Sequence, residues 1–264
     1  DYFLDFINKS KCTTNLKKLF LSDSGFEEVE KISSIFNKLE NLEELHLSMV
    51  LTGDSLSVDQ KIKILDSIRS NIGKLSKLKH LDLNYNKLFD LCKEDQEHLH
   101  ELFKAIDKHE IISELDISSN EFNSKSLKDI LENFKNPKKI KKLSLHSNTV
   151  LFQSKEGSEI LIPIINKFQG LEELNIANSC VGCELLESFI DRAEEYKSNC
   201  IKKLNISESE EDIFEDKLKT LVEFLKVFGE LEELVFSDYE DVEYDDESDT
   251  KLDAFAEAVE KGDF

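Results

Sequence analysis

A short phrase recurs eight times along this chain of 264 residues. Each copy has an aliphatic residue, two mostly polar residues, a second aliphatic residue, one further residue and a third large apolar residue. The copies start at Leu16, Leu42, Leu78, Ile112, Ile140, Leu171, Ile201 and Leu231, so that 26 to 36 residues separate successive starts. Internal periods of about 20 to 50 residues are the signature of stacked repeats. We therefore expect a solenoid in which each repeat contacts its neighbours.

The segments between the phrases carry apolar residues with helical spacing. One of them holds Leu99, Leu102, Phe103 and Ile106, and the others follow the same pattern. Parallel strands stack about 4.8 Å apart whereas packed helices need roughly 8 to 10 Å, so a column of strand and helix units curves with its sheet inside. The predicted fold class is α/β, a horseshoe-shaped solenoid with eight parallel strands on the concave face and helices on the convex face.

The repeats extend over nearly the whole sequence, so we expect one domain comprising residues 1–264. Residues 1–15 are predicted to be an N-terminal cap or the end of an earlier repeat, residues 16–250 to contain the eight phrases with their helices, and residues 251–264 to form a C-terminal helix. Pro163 interrupts one helical segment. It should either open the first turn of that helix or kink the helix, and we expect the first turn, where its missing N–H has no intrahelical partner to lose.

Charge and composition limit the classes of partner. The chain has 56 acidic residues against 34 lysines and arginines, a formal net charge of −22. Nucleic acid requires a basic surface and is therefore excluded as a partner, which leaves a basic or mixed-charge protein.

No apolar run is long enough to cross a bilayer, so we expect no membrane contact. Five irregularly spaced cysteines favour a reducing compartment, and we expect a cytoplasmic monomer.

The two residues that follow the first aliphatic of each phrase change sign from repeat to repeat. They are Lys17-Lys18, Glu43-Glu44, Lys79-His80, Ser113-Glu114, Lys141-Lys142, Glu172-Glu173, Lys202-Lys203 and Glu232-Glu233. In a parallel, in-register sheet these pairs become neighbours, and opposite charges across strands stabilise by roughly 0.2 to 1 kcal/mol each. The pattern could serve a partner or neutralise itself while fixing the register. Because an alternating strip has almost no net field, it favours neutralisation.

Candidate binding residues then lie on the concave face beside these charged pairs. The residue between the last two apolar positions of each phrase, together with residues just after the phrase, supplies Phe20, His46, Asp82, Tyr85, Asp116, His146, Asn175 and Asn205. This face lacks the dense cluster of aromatic residues and arginines that marks many protein-binding hot spots. We therefore expect it to bind a protein weakly, or together with its rim.

Two acidic segments follow the seventh and eighth phrases. Residues 208–216 contain six carboxylates and residues 238–249 contain eight, with no lysine or arginine in either segment. Loops at the same place in adjacent repeats emerge at the same edge, so these groups should form an acidic C-terminal rim that steers a basic partner. The candidate rim residues are Glu210, Glu211, Tyr239, Asp241, Tyr244 and Asp245. The alternative is that these loops only increase solubility.

Motifs for catalysis are missing from the sequence. It contains no glycine-rich phosphate loop, nucleophile elbow or zinc-protease helix. Cys180-Val-Gly-Cys183 has the spacing of a metal site, but without a second pair it favours packing over zinc. We expect no enzymatic activity, no cofactor and no metal.

The segment from Leu78 to Leu88, with Leu81, Leu83 and Asn86, and its near copy from Ile112 to Phe122 resemble the ribonuclease-inhibitor-like class of leucine-rich repeats. The resemblance covers residues 12–262. It implies an intracellular, non-enzymatic scaffold for protein–protein interaction, as in the ribonuclease inhibitor, the Ran GTPase-activating proteins and the tropomodulins. Two alternatives remain open, a regulator of a small GTPase resembling the Ran activators and a bacterial leucine-rich-repeat effector that acts on a protein in the host cytoplasm.

Overall fold

A computed structural model describes residues 11–22, 34–153, 155–192, 200–207 and 218–235. Within them one parallel sheet contains eight strands in sequence order. The strands are β1 (Lys18–Phe20), β2 (Glu44–His46), β3 (His80–Asp82), β4 (Glu114–Asp116), β5 (Lys142–Ser144), β6 (Glu173–Asn175), β7 (Lys203–Asn205) and β8 (Glu233–Val235). Each strand falls on one predicted phrase, which confirms the repeat and the fold class.

Helices occupy the segments between the strands. Those described are α1 (Val58–Asn71), α2 (Leu88–Leu91), α3 (Glu97–Lys108), α4 (Ser124–Asn133), α5 (Lys155–Lys167), α6 (Cys183–Asp191) and α7 (Leu218–Leu225), with short 3₁₀ helices at Lys11–Asn15, Ile72–Lys74 and Pro137–Lys139. Residues 34–36 are also helical. The longer helices pack in order, α1 on α3 and then each on the next up to α7. The predicted C-terminal helix and residues 1–10 of the predicted cap lie outside the described residues.

The core lies between the sheet and the helices. Alternate residues of a strand point to opposite sides, so the central residue of each strand faces the helices and its two neighbours face the other way. The central leucines of β1 to β7 are buried in one cluster with the apolar residues of the helices, including Leu99, Leu102, Phe103 and Ile106 as predicted. The opposite side, formed by the first and third residues of each strand, is called the sheet face below.

Three buried asparagines join consecutive repeats just beyond the strands. Asn120 Oδ1 accepts the backbone N–H groups of Asn86 and Leu88, and its Nδ2 donates to the carbonyl oxygen of Leu83 at 3.0 Å. Asn148 and Asn86 make the corresponding contacts one repeat later and one repeat earlier. Because these side chains satisfy backbone groups of two repeats at once, they fix the spacing of the turns.

A residue with a left-handed backbone conformation occurs at the same place in the turn after the strand in each of five repeats. Met49, Tyr85, Ser119, Ser147 and Asn178 each stand three residues after a strand and have φ between 48° and 60°. None is glycine, although this conformation costs an ordinary residue roughly 1 to 2 kcal/mol. The repetition identifies the conformation as a property of the turn, which the surrounding hydrogen bonds maintain.

Pro163 corrects one expectation. It lies inside α5 as the ninth residue of that helix, and not in the first turn. A proline there cannot donate to the carbonyl oxygen four residues earlier. Its side chain is exposed, and water can therefore hydrate the carbonyl that is left without a helical donor.

The alternating charges of the phrases form two ladders across the sheet. In the inner ladder Lys18 contacts Glu44 at 2.8 Å, Lys142 contacts Glu173 at 3.0 Å, and Lys203 contacts Glu233 at 2.7 Å. In the outer ladder Glu43 lies between Lys17 and Lys79, at 3.1 and 3.0 Å. The ammonium groups of Lys79 and then Lys17 hold the pKa of Glu43 below its ordinary value. The predicted cross-strand pairing is confirmed.

We expect Asn120→Ala to lower the free energy of unfolding by about 2 to 4 kcal/mol, because buried backbone groups of two repeats lose their partners. Urea unfolding followed by circular dichroism measures the change. Asn136→Ala is the matched control, since Asn136 is exposed and should change stability by no more than about 0.5 kcal/mol. Similar losses in both variants would contradict a structural role for the asparagine contacts.

Glu173→Lys tests the ladders, because it places a third lysine between Lys142 and Lys203 on neighbouring strands. At low salt we expect the melting temperature to fall by about 2 to 6 °C, with partial recovery when salt screens the repulsion. Glu94→Lys changes the net charge equally at an exposed position outside the ladders. If calorimetry gives the same melting temperature for wild type and Glu173→Lys, the pairing does not stabilise the sheet.

Candidate functional site

The predicted concave candidates lie side by side on the sheet face. The third residues of the strands form a middle column of Phe20, His46, Asp82, Asp116, Ser144, Asn175, Asn205 and Val235, in register across the sheet. Two residues further along lies an outer column that contains Ser48, Asn84, Ser118 and His146. Since the inner ladder neutralises itself, these two columns determine what the sheet face can recognise.

An aromatic stack occupies the N-terminal end of the middle column. The ring of Phe20 is 61% exposed and stacks on His46, with ring centroids 4.1 Å apart and planes 11° from parallel. His46 in turn lies 4.7 Å from His80. Nδ1 of His46 is 3.0 Å from Asp82 and Nδ1 of His80 is 3.0 Å from Glu114, which fixes both imidazoles against the sheet. The stack therefore presents an ordered aromatic surface.

A polar pocket of about 390 Å³ lies beside the stack and is called the sheet pocket. It brings together five predicted residues, Tyr85, Asp116, His146, Asn175 and Asn205. Hydroxyl and amide side chains of the two columns complete much of its lining, among them Ser48, Asn84, Ser118 and Ser144. Such a lining offers many hydrogen bonds and little apolar surface, and it suits a polar or charged group.

Asp116 is the carboxylate of the sheet pocket. Its Oδ1 accepts the backbone N–H of Ser118 at 2.9 Å, and the Ser118 hydroxyl is also 2.7 Å from that of Ser144. Burial raises the pKa of Asp116, hydrogen bonds from Ser118 oppose this, and the nearby charge of Asp82 raises the pKa further. Within the described part of the chain, no basic side chain forms an ion pair with Asp116. Its carboxylate is desolvated, and the charge of His80 is a basic influence that favours its ionised form.

The other lining residues leave donors and an aromatic ring for a ligand. Tyr85 is 50% exposed at the left-handed turn. Asn175 and Asn205 use Oδ1 to accept the backbone N–H groups of Ala177 and Ser207, at 3.1 and 3.0 Å. Their Nδ2 groups can therefore donate to a ligand carbonyl.

The structure also brings in pocket residues that the sequence did not single out as binding candidates. Ser48, Asn84 and Ser118 belong to a column that the repeat pattern identifies as small and polar, and their alignment is the signal that predicts a shared role. Met49, Ser119 and Ser144 complete the lining. The pocket itself depends on how the turns close around the column, for which the sequence carries no equally simple signal.

No protein-family model matches this chain, and no curated protein matches its sequence. Among solved structures it is similar to the leucine-rich repeat-containing protein LegL7 from Legionella pneumophila, with a TM-score of 0.54 and 13% identity over 91% of this chain and 80% of that chain. The fold is a leucine-rich-repeat solenoid. A chain of the yeast Rad7 and Elc1 complex matches with a TM-score of 0.50 and 18% identity, over 85% of this chain but 57% of that one. The tropomodulin C-terminal domain of Caenorhabditis elegans aligns with a TM-score of 0.26 and 11% identity.

The binding roles of the predicted residues, on the sheet face and on the rim, remain predictions. Glu210, Glu211, Tyr239, Asp241, Tyr244 and Asp245 lie outside the described residues, so the acidic C-terminal rim remains a prediction. In the motif Cys180-Val-Gly-Cys183, for which the sequence favours packing over zinc, Cys180 Sγ donates to the carbonyl oxygen of Thr149 at 2.6 Å. Over the described ranges, no three His, Cys, Asp or Glu side chains are grouped as metal ligands, and none of the helices has the length and apolar character to span a membrane.

Asp116→Asn should stabilise the solenoid at pH 7. Because folding raises the pKa of Asp116, the folded state binds this proton more tightly than the unfolded chain, and stability falls as pH rises above the unfolded pKa of about 3.9. The gain should therefore be greater at pH 7 than at pH 4.5, as measured by urea unfolding. Asp82→Asn is the control, since it loses the contact with His46 and should not stabilise. A gain that is independent of pH would contradict the desolvation of Asp116.

Proposed function

We propose that this protein is a non-enzymatic interaction scaffold that binds a basic or mixed-charge protein through its sheet face. The observation that carries the proposal is Asp116, a desolvated carboxylate without a basic partner in the described residues, at a pocket lined by hydroxyl and amide groups. A lysine or arginine side chain of the partner would supply the missing charge and donate to the same oxygen atoms.

The ladders support this assignment because they remove competing charge. Their lysines and glutamates are paired across the strands, so their fields largely cancel at the distance of a bound protein. Asp82 and Asp116 belong to the middle column, and their charges are those that an approaching partner would encounter beside the aromatic stack. A positive partner is attracted and a negative one repelled.

Exposed aromatic residues on both sides of these acids support a protein as the ligand. Phe20 is 61% exposed at one end of the sheet face, and Tyr85 is 50% exposed at the sheet pocket. Aromatic side chains are enriched at protein interfaces, and an aromatic face next to a carboxylate also favours a cationic side chain. We assign Phe20 and Tyr85 as the anchors of the interface.

The acidic segments 208–216 and 238–249 extend the proposal beyond the described residues. With fourteen carboxylates between them, they would increase the association rate of a basic partner at low salt. We also propose that the protein acts as a monomer in the cytoplasm, as expected from its composition and its irregularly spaced cysteines.

Regulation of a small GTPase, or action as a bacterial effector on a host protein, would be special cases of such binding. An activator that completes the active site of its partner commonly supplies an arginine. The two arginines of this chain, Arg69 and Arg192, lie on α1 and just after α6, away from the sheet face. Stimulated GTP hydrolysis by the purified protein would favour the regulator, and its absence would leave the scaffold.

Affinity capture from cell extract, compared between variants, tests the sheet face. We expect Phe20→Ala and Tyr85→Ala to reduce recovery of the principal partner by about tenfold each, the usual loss for an aromatic anchor. Asp116→Asn should weaken capture at low salt most, because it removes the charge that the partner compensates. The partner identified in this way should then bind the purified wild-type and variant proteins with affinities in the same rank order as the recoveries.

Val58→Ala and Val150→Ala are matched controls, because they remove exposed apolar side chains outside the sheet pocket and the aromatic stack. They should not change recovery. A variant in which the acids of residues 238–249 are replaced by amides tests the rim separately. Equal capture by wild type and all sheet-face variants contradicts the proposed interface, whereas equal capture by the amide variant contradicts only the rim.

A further inference from the structure

A lysine-rich stretch stands out against the acidity of this chain. Residues 135–142 contain five lysines and no acidic residue, in a sequence with a net charge of −22. Lys141 and Lys142 belong to the sheet ladders, where they contact Glu172 at 2.7 Å and Glu173 at 3.0 Å. The other three lysines lie in the loop between α4 and β5.

Lys139 has a structural role at the end of α3. Its Nζ donates to the carbonyl oxygens of Ile106 at 2.8 Å and Asp107 at 2.6 Å, and to that of His109. Burial lowers the pKa of Lys139, opposed by the charge of Asp107. These three carbonyls use the three donors of the ammonium group, so Lys139 holds the loop against the helix and leaves no donor for a ligand.

Lys135 and Lys138 line a second pocket, of about 900 Å³, which is called the edge pocket. It is formed by three consecutive connections from helix to strand, and it also receives Lys108 at the end of α3 and Lys167 at the end of α5. A side chain at Gly170 would collide with the carbonyl oxygen of Lys138, so two of these connections are tightly packed on each other. The edge pocket therefore has a packed backbone frame.

Five lysines against two acids give the lining of the edge pocket a net positive charge. In the described part of the molecule, no ion pair involves Lys108, Lys135, Lys138 or Lys167, in contrast to the ladder lysines of the sheet face. Of the two acids in the lining, Asp107 already accepts the backbone N–H groups of Lys135 and Asn136, each at 2.9 Å. The charge of the pocket is thus opposite to that of the molecule.

We propose that the edge pocket binds a compact soluble polyphosphate, a small molecule with at least two phosphate groups. Lysine ammonium groups suit phosphate oxygens, and four of them match several charges at once. Among the described residues that line it, none is an aromatic residue on which a nucleotide base could stack. A compact ligand also lies within a Debye length, about 8 Å at physiological salt, of the lysines, whereas an extended nucleic acid or acidic protein would meet the acidic remainder of the chain.

Isothermal titration of the full chain with inorganic tripolyphosphate tests this proposal at physiological salt. We expect one binding site, at least about tenfold weaker binding of monophosphate, and affinity that falls as salt rises. The double variant Lys135→Gln with Lys138→Gln should weaken tripolyphosphate binding at least about tenfold, because two charged hydrogen-bond donors are lost. Melting curves of the variants verify that the fold is intact.

The double variant Lys125→Gln with Lys128→Gln is the matched control, since it removes the same charge from exposed positions on α4. Its affinity for tripolyphosphate should stay within about twofold of wild type, the change expected from distant charges alone. Equal weakening in both double variants, or no binding of tripolyphosphate at millimolar concentration, overturns the proposal. Tighter binding of a glutamate-rich peptide or of an oligonucleotide of equal charge overturns the assignment to a compact polyphosphate.

Discussion

Register between neighbouring strands is the constraint on which the rest of the structure depends. The Cα pairing places the same position of each repeat beside its equivalents, from Lys18, Glu44 and His80 to Glu233. A slip of one residue would exchange the buried leucines for charged side chains, and would leave charged residues of the ladders opposite leucines instead of opposite charges. Hydrophobic burial and electrostatics therefore favour the same alignment. Because the alignment holds over eight strands, any residue type that recurs at one position becomes a column on the surface.

Register also explains why the sheet face can be stable and still retain a site for a ligand. The inner and outer ladders neutralise their charges between neighbouring strands. The side chains of the middle column do not enter the core, so core packing does not restrict which residues occur there. Asp116 is accommodated there although its carboxylate is desolvated, since the ladders and the asparagine contacts stabilise the strand that carries it. A desolvated charge at such a position lowers the stability of the fold, as residues of binding sites commonly do.

The sequence was sufficient to predict properties that depend on register. The eight strands, the central leucines, the opposite charges across strands and the membership of Asp116 and Asn175 in one column all follow from the phrase and its period. Properties that depend on the conformation of the loops between helices and strands were not predictable from the repeat pattern. Pro163 inside α5, the closure of turns around the sheet pocket and the position of Lys139 under the end of α3 result from contacts between loops of unequal length. A periodic pattern carries no information about such contacts.

The sheet face and the edge pocket differ in how their lysines are paired. On the sheet face lysines face glutamates one strand away, so charge is cancelled within about one strand spacing. At the connections before the strands the repeats differ in length, and among the described residues Lys108, Lys138 and Lys167 form no ion pair. Helix C-termini there stabilise positive charge, which lets the lysines gather without a carboxylate partner. The solenoid consequently presents the carboxylates of Asp82 and Asp116 on its sheet and a basic pocket at its connections, and the two surfaces differ in charge because register governs only the first.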